Sequence, residues 1–295
     1  MGLKVRTLLG ASGLDFSAMC LGSLVRNSAE PLTICVHSDG SIGERQKDVL
    51  RRRVGADMEF VSIEETNDRV EAAIGRYRHL QSFRASDLFA KKILDIAVME
   101  ESERIRYCDS DIIFFRRFSG LFTSAGPGQA MFMKDAQSAY AFSWNVGARR
   151  FFPLPDSLNA GLIDFPKASF DFDLLEHGLS TGVLTGWRGW REQTMWAWLA
   201  TRTQNIWPEG LVIPEPGDTI GKARAWHLVS VIRHCWDPRR LADVAERHVA
   251  EVVEPFAMKP FSTTTYPNYI SQRSKRSLAR RVRLAFSRVR PQAAS

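Results

Sequence analysis

Two pairs of aspartates separated by one residue occur in the sequence, at 109–111 (Asp-Ser-Asp) and at 171–173 (Asp-Phe-Asp). The second pair precedes two leucines in an aromatic segment, a pattern that predicts the first turn of a helix. The first pair directly follows a strand-like run at 104–108 and precedes an apolar run. Carboxylates in such surroundings need a cation, and a hard divalent ion that also binds phosphate oxygens meets that need. Asp109 and Asp111 are therefore candidate metal ligands, with a structural turn as the alternative.

Five later residues are candidates for the same site because of their types and their order along the chain. Asn159 and Gly161 interrupt an apolar run, Glu192 and Gln193 open a helical pattern rich in tryptophan, and His227 lies in a short strand pattern. Each also has a purely structural interpretation: a turn that needs Asn and Gly, an acidic first helical turn, and a core histidine. No single one of these residues identifies a functional site, and only the whole set, in this order along the chain, is specific.

The elements that must position these residues alternate between strands and helices in the first half of the chain. Strands are predicted at 3–9, 32–36, 58–63 and 104–108, and helices at 15–26 with Asp15 as cap, at 41–50 with a capping box of Ser41 and Glu44, and at 86–99 with Leu88 and Phe89 on its buried face. This order predicts an α/β fold with a largely parallel sheet covered by helices on both faces. Ligands bind at the carboxyl ends of the strands in such sheets, where Asp-Ser-Asp falls.

The second half of the chain is less regular. Strands are predicted at 130–133, 160–165 and 225–228, and helices at 191–201 and 237–254. Tryptophans occur only from residue 144 onward, and those at 187, 190, 196 and 198 could offer stacking surfaces for a sugar. Trp196 and Trp198 cannot share one face of a helix, so we expect at least one of them in the core.

The net charge of +7 is concentrated at the carboxyl end. Residues 271–295 contain eight basic residues and no acidic one, so the first 270 residues are close to neutral. A neutral body argues against nucleic-acid binding. Within the tail, apolar residues recur at helical spacing between the arginines, which predicts a basic amphipathic helix on an anionic membrane surface; a solvated or disordered end is the alternative.

The four cysteines are far apart and lie in apolar stretches without a C-x-x-C pair, as reduced core cysteines do. The amino-terminal residues lack the pattern of a signal peptide, and no apolar run is long enough to span a bilayer. These features predict a cytoplasmic protein that could be peripheral at the inner face of the membrane.

Taken together, the motifs resemble those of nucleotide-sugar glycosyltransferases with the GT-A fold, and most closely those of glycosyltransferase family 8. The resemblance consists of Asp-Ser-Asp at 109–111, Asn-Ala-Gly at 159–161, Glu-Gln at 192–193 and a late histidine motif at 227–236. In the late motif, Ser230 stands where the family has Gly and Arg233 where it has the phosphate-binding Lys. The resemblance covers roughly residues 3–236, and it implies a Rossmann-like, mixed but mostly parallel sheet flanked by helices. We therefore predict such a domain over 1–265, followed by the separate basic tail at 266–295.

The resemblance also implies a role for each candidate residue. Asp109, Asp111 and His227 would bind Mn²⁺ or Mg²⁺ together with the phosphates of the nucleotide-sugar. The residues that would contact the nucleotide are Asp109, Ser110, Asp39, Lys92 (or Lys91) and Arg233. The residues that would contact the donor sugar or the reacting face are Asn159 and Gln193. If the reaction inverts, Glu192 is the candidate base, whereas in a retaining reaction Gln193 would flank the reacting carbon.

Two other classes of protein remain as alternatives. Loss of Gly and Lys in the late motif favours a non-catalytic nucleotide-sugar-binding protein of the same fold. A phosphatase of the haloacid-dehalogenase class also has Asp-x-Asp at a strand end, but on its first strand, whereas at least three strands precede the motif here. The donor is expected to be UDP-linked, and a glycan, a lipid-linked sugar and a protein are all open as acceptors.

Overall fold

The fold was determined as a computed structural model of the 295-residue chain. The structure describes residues 2–114, 116–135, 139–141, 153–184, 188–209, 225–227 and 254–265, and for residues 153, 188, 225–227, 254, 264 and 265 it describes the backbone alone. The tail at 266–295 and the predicted helix at 237–254, apart from residue 254, lie outside these ranges. No helix in the described ranges is both long enough and apolar enough to cross a bilayer.

Strands and helices alternate through the first part of the chain, as the sequence predicts. The strands are β1 (Leu3–Leu9), β2 (Leu32–Ser38), β3 (Asp57–Phe60), β4 (Arg104–Cys108), β5 (Ile112–Phe114), β6 (Phe118–Ser119), β7 (Gln129–Lys134), β8 (Pro153–Pro155), β9 (Leu158–Pro166), β10 (Gln204–Pro208), β11 (Ala225–His227), β12 (Glu254–Pro255), β13 (Met258–Pro260) and β14 (Thr263–Thr265). The helices are α1 (Leu14–Asn27), α2 (Glu44–Val54), α3 (Ile63–Ile74), α4 (Arg78–Ser86), α5 (Leu88–Met99), α6 (Phe172–Ser180) and α7 (Arg188–Ala200).

Eight of these strands form one central sheet in the order β13-β10-β7-β9-β4-β1-β2-β3. The pairs β1–β2, β2–β3, β1–β4 and β7–β10 are parallel, whereas β9 runs antiparallel to both β4 and β7. Strands β4 and β7 therefore point the same way, and β9 begins where both of them end. This topology brings the carboxyl ends of β4 and β7 to the amino end of β9 at one edge of the sheet.

Helices cover both faces of the sheet, and each face has its own apolar cluster. The larger cluster packs α4, α5, α6 and α7 against the sheet, and the smaller one packs α1 and α2 against the other side. Alternation along β4 assigns Ile105 and Tyr107 to the first cluster and Cys108 to the second. The predicted α/β class with a mixed, mostly parallel sheet is confirmed. Cys20, Cys35 and Cys108 are buried free thiols, as their apolar contexts predict.

Several element predictions are confirmed closely. Strands β1 and β4 have the predicted bounds, β2, β7, β9 and β11 overlap theirs, and α7 covers most of the predicted 191–201. Asp171 caps α6 through its side chain, which accepts from the backbone N–H of Leu174, and Asp173 lies in the first turn. The second Asp-x-Asp pair is thus a helix start, as predicted.

Three local predictions are wrong, each for a reason of backbone geometry. Helix α1 begins after Gly13, whose φ of 73° ends the preceding turn, so Asp15 lies inside the first turn and is not the cap. Helix α2 begins after Gly43, whose N–H bonds the side chain of Gln46, so the capping box of Ser41 and Glu44 does not form. The third strand ends at Phe60 rather than at 63, because Ser62 caps α3.

The prediction for the start of α5 is also wrong. Leu88 and Phe89 are 50% and 38% exposed, although their spacing places them on the apolar side. Asp87 caps the helix through the N–H of Phe89, the first buried residue of the helix is Ala90, and continuous burial begins with Lys92. Helical periodicity shows which residues share a face, but not how much of that face the neighbouring elements cover. Helices α3 and α4 were not assigned from the sequence.

A buried polar network connects β1, β2 and the end of α5. Arg6 donates from Nε to Glu100 Oε2 at 2.7 Å and from Nη2 to the carbonyl of Met99 at 2.6 Å. Its Nη1 lies 2.9 Å from His37 Nε2. Because a guanidinium can only donate, Nε2 must be the acceptor and the His37 ring must be neutral with its proton on Nδ1. Burial, followed by the charge of Arg6, lowers the pKa of His37 to about 3.

Candidate functional site

The carboxylate of Asp109 lies at the carboxyl end of β4, where two side chains hold it. The hydroxyl of Tyr107 donates to Oδ1 at 2.6 Å, and Lys92 Nζ lies 2.8 Å from Oδ1 and 3.1 Å from Oδ2. The backbone N–H of Asp109 donates to the carbonyl of Gly161 at 2.7 Å. The predicted metal ligand is thus joined to the predicted lysine and to the Asn-Ala-Gly strand.

Lys92 is a buried cation surrounded by acidic groups. It extends from α5 with 7% of its side chain exposed, lies 3.7 Å from Glu192 Oε1, and is 5.0 Å from the centre of the Tyr107 ring. Burial acts to lower the pKa of Lys92, but the carboxylates of Asp109 and Glu192 outweigh it, so this pKa is raised. Lys92 is therefore an ammonium ion at neutral pH.

Glu192 lies on α7 and faces Lys92 in the interior. It is 2% exposed, and burial raises its pKa to about 8, a shift that Lys92 opposes and Asp109 increases. Burial therefore favours the protonated form of this carboxyl group. The described contacts give Glu192 a part in the charge balance around Lys92, and the role of general base stays a prediction.

The amides of Asn159 and Gln193 bond to each other and to the surrounding chain. Asn159 Oδ1 accepts from the N–H of Gly161 at 2.8 Å, and its Nδ2 donates to Asp135 Oδ2 at 3.1 Å and to Gln193 Oε1 at 3.2 Å. Gln193 Nε2 donates to the carbonyl of Ala139 at 2.9 Å. Both side chains are about nine-tenths buried. Sequence reasoning placed these two residues at the same site, and the structure brings them together there.

Gly161 occupies a position where a side chain would come closer to its neighbours than ordinary contact allows. A Cβ at this residue would lie 2.8 Å from Asn159 Oδ1, 3.1 Å from Asp109 Oδ2 and 3.1 Å from Met133 Cε. The spacing of Asn and Gly in the motif therefore has a physical cause: the glycine lets the amide of Asn159 and the carboxylate of Asp109 approach the same point of the strand.

Sequence reasoning missed two residues of this cluster, Tyr107 and Asp135. Asp135 follows β7 at the same edge as Asp109, and its backbone N–H donates to the carbonyl of Ser157 at 2.6 Å. The available signal was an acidic residue two positions after the predicted strand at 130–133, much as Asp109 follows the strand at 104–108. Tyr107 was assigned only to the strand, but it lies two residues before Asp109 and therefore on the same side of β4.

The other metal-ligand candidates are Asp111, two residues after Asp109, and His227, on β11. Strand β11 pairs antiparallel with β5, and this register sets His227 opposite Ile112, the residue after Asp111. Asp111 is half-buried, and so is Ser110. No group of three His, Cys, Asp or Glu side chains suited to a metal occurs among the residues whose side chains are described, and His227 is not one of those. Arg233 lies outside the described residues.

The charges of the cluster fit a divalent cation. The carboxyl groups of Asp109, Glu192 and Asp111 all act on Lys92. One ammonium ion, that of Lys92, faces the carboxylates of Asp109 and Asp111, so the described cluster carries an excess of negative charge. Carboxylate oxygens are the ligands that Mg²⁺ prefers, and Mn²⁺ takes the same oxygen ligands together with imidazole.

Asp39 lies two strands away along the same carboxyl edge. Its Oδ1 accepts from the N–H of Ser41 at 2.9 Å and from the hydroxyl of Ser41 at 2.5 Å. A Cβ on Gly10 would lie 2.1 Å from Asp39 Oδ2, so the turns after β1 and β2 are in close contact. The structure describes no contact between Asp39 and the Asp109 cluster, and its role toward a nucleotide stays a prediction.

The tryptophans of α7 are largely core residues. Trp196 is fully buried against Phe132 and Phe165, and Trp198 is 7% exposed. The prediction that at least one of the two lies in the core is confirmed. Trp190 is half-buried, and Trp187 lies outside the described residues.

No protein-family model matches the chain, and no curated protein matches it in sequence. Several solved structures do match. Mouse xyloside xylosyltransferase 1, in its apo form, is 14% identical over 68% of this chain and 81% of that chain, with a TM-score of 0.49. The galactosyltransferase LgtC with donor and acceptor sugar analogues is 12% identical over 83% of this chain and 96% of that chain, with a TM-score of 0.47. Core-mannan synthase A from Aspergillus fumigatus, in an Mn/GDP form, is 11% identical over 70% and 72%, with a TM-score of 0.39.

The matched proteins include glycosyltransferases, the class whose motifs the sequence resembles. These matches have TM-scores below 0.5, and they do not show membership of family 8. At these identities the likeness concerns the fold alone. Any statement about activity must therefore come from the Asp109 cluster itself.

Proposed function

We propose that the chain is a metal-dependent glycosyltransferase that moves a sugar from a nucleotide-sugar, UDP-linked by preference, to an acceptor. The observation that supports it most is the arrangement at the end of β4: Asp109 is held by Lys92 and Tyr107, beside the amides of Asn159 and Gln193. Carboxylates, one buried cation and sugar-compatible amides converge at the edge of the sheet where ligands bind in α/β folds.

Asp109, Asp111 and His227 would hold Mn²⁺ or Mg²⁺, which when bound stabilises the negative charge of the departing diphosphate. Cationic side chains of the protein would also stabilise that charge. Lys92 is charged and has little water around it, so its field acts strongly on any phosphate nearby. Arg233 and Lys91 are further candidates for the same role, and Ser110 and Asp39 for contacts with the ribose or base.

The reacting sugar would lie between the Asp109 carboxylate and the Asp135–Asn159–Gln193 group. In a retaining reaction, Gln193 and Asn159 orient the sugar and no strong base is needed. In an inverting reaction a carboxylate must take the acceptor's proton. Asp135 suits that task better than Glu192, because Asp135 is half-buried, whereas Glu192 is enclosed and its burial favours the protonated form.

The proposed acceptor is a glycan, a lipid-linked sugar or a protein. A membrane-bound acceptor suits the basic tail at 266–295, which would hold the protein at the inner face of an anionic membrane. Nucleic acid is not proposed as a partner, since the basic residues are concentrated in the tail.

The binding half of this proposal is tested by calorimetric titration of UDP and GDP, each with and without Mn²⁺. Asp111→Asn is expected to abolish the Mn²⁺-dependent binding without unfolding the protein. Asp173→Asn is the matched control, because it alters the second Asp-x-Asp pair, which lies at the start of α6. Equal Mn²⁺-dependent binding by wild type and Asp111→Asn would refute the proposed site.

A non-catalytic nucleotide-sugar-binding protein is the second candidate. The bonds among Asn159, Gln193 and Asp135 favour it, because amides already bonded within the protein have less capacity for a substrate. Metal-dependent nucleotide binding without donor hydrolysis or transfer would identify this case. The phosphatase alternative loses support from the topology, since the Asp-Ser-Asp follows β4 and three strands precede it.

A further inference from the structure

Tyr107 contacts both charged groups at the centre of the candidate site. Its side chain is 2% exposed, and its hydroxyl lies 2.6 Å from Asp109 Oδ1. Lys92 Nζ lies 2.8 Å from the same oxygen and 5.0 Å from the centre of the tyrosine ring. The ring therefore supports the cation while the hydroxyl binds the carboxylate.

The two contacts on Oδ1 fix how the carboxylate is turned. A carboxylate rotates easily about its last side-chain bond, because that torsion has a broad energy profile. A short hydrogen bond from a hydroxyl to an ionised oxygen is among the stronger kinds in proteins. With Oδ1 bound by Tyr107 and Lys92, the orientation of Oδ2 follows. Oδ2 lies 3.1 Å from Lys92 Nζ and 3.1 Å from the point where a Cβ of Gly161 would be.

The elements that carry these residues are packed in the fold, so they hold the Asp109 carboxylate in this orientation. Tyr107 belongs to the central strand β4 and packs in the larger apolar cluster. Lys92 is anchored on α5, and the N–H of Asp109 is bonded to β9. Side chains held by packed elements can keep a metal ligand in place to within a fraction of an ångström.

We propose that Tyr107 is a positioning residue: its hydroxyl sets the rotation of the Asp109 carboxylate, and thereby the oxygen that Asp109 presents to the metal and nucleotide. This inference rests on the proposed function, since it assigns to Tyr107 a part in the same site. Tyr107 itself does not touch the substrate. Its effect passes through Asp109, as an outer hydrogen-bond partner orients a metal ligand.

The test uses Tyr107→Phe in the full chain, which keeps the ring beneath Lys92 and removes the hydroxyl. Tyr77→Phe is the matched control, because Tyr77 is 7% exposed and its hydroxyl also donates to an aspartate, Asp173, at 2.9 Å. The quantity to compare is the ratio of UDP affinity with Mn²⁺ to UDP affinity without it. A general loss of stability lowers both affinities, whereas a misplaced Asp109 lowers their ratio.

We expect the ratio to fall about tenfold in Tyr107→Phe, the effect of one hydrogen bond to a charged group, and to stay at the wild-type value in Tyr77→Phe. Thermal unfolding of both variants should show similar, small shifts. A large wild-type ratio that Tyr107→Phe leaves unchanged overturns the positioning role and leaves the proposed function standing. A ratio near one in the wild type overturns the proposed function and the inference together.

Discussion

Replacement of Gly161 by alanine tests whether the Asn-Ala-Gly strand positions the candidate metal ligand. The added Cβ would lie 2.8 Å from Asn159 Oδ1 and 3.1 Å from Asp109 Oδ2, whereas ordinary contact begins at 3.4 Å. Because packing prevents the backbone around Gly161 from moving away, the neighbouring side chains must shift instead. Asn159 Oδ1 must move by about 0.6 Å and Asp109 Oδ2 by about 0.3 Å.

Shifts of this size are small for stability and large for a binding site. Overpacking costs about 1–3 kcal/mol of unfolding free energy, whereas a misplacement of about 1 Å at a reacting group can reduce the rate about a hundredfold. We therefore expect Gly161→Ala to remain folded and to lose about tenfold to a hundredfold in the rate of Mn²⁺-dependent donor hydrolysis.

Gly128→Ala provides the matched control. Gly128 precedes β7, a Cβ there would meet no atom within 4 Å, and its φ is not in the left-handed region. This variant should hydrolyse the donor at the wild-type rate. The steric reasoning fails if Gly161→Ala retains wild-type metal-dependent hydrolysis, or if Gly128→Ala loses as much activity as Gly161→Ala.

Three further predictions concern charge. Because burial raises the pKa of Glu192 from 4.5 to about 8, the folded state binds more protons than the unfolded state between these values. The free energy of unfolding, measured with urea, should therefore fall as pH rises from 4.5 to 8, and this pH dependence should be weaker in Glu192→Gln. The same pH dependence in wild type and Glu192→Gln would contradict the pKa assignment. His37, whose pKa is lowered from 6.5 to about 3, should be neutral with its proton on Nδ1 in nitrogen NMR spectra at pH 6, and stability should fall as pH drops from 6.5 towards 3. A charged His37 ring at pH 6 would rule out the bond from Arg6. Truncation after about residue 270 should release the protein from anionic vesicles and spare donor hydrolysis; equal vesicle binding by the truncated chain would remove the membrane role of the tail.

The sequence predicts well those features that depend on local pattern. The run at 104–108 followed by Asp-Ser-Asp placed β4 and its carboxylates correctly, because a short strand-like run that ends at acidic residues is typical of a strand end in an alternating α/β chain. The pairing of Asn159 with Gly161 was found as a motif, and the close approach of Asp109 accounts for it.

Features that depend on contacts between distant elements escaped prediction. The position of Asp135 beside Asn159 depends on the register of β7 against β9, where a bulge after Phe132 shifts the pairing. In the sequence, Tyr107 is an ordinary aromatic residue of a strand. Its place in the site depends on its contact with Lys92, which comes from α5. Leu88 and Phe89 fit the apolar side of a helix, yet the elements around α5 leave its first turn exposed.

The most direct test of the central claim is hydrolysis of a UDP-sugar by the wild-type chain with Mn²⁺ and with EDTA, beside Asp111→Asn and Asp173→Asn. A transferase with its metal at Asp109 and Asp111 should release UDP slowly with Mn²⁺, fall to background with EDTA or Asp111→Asn, and be unaffected by Asp173→Asn. Release of UDP that neither EDTA nor Asp111→Asn reduces would contradict the account.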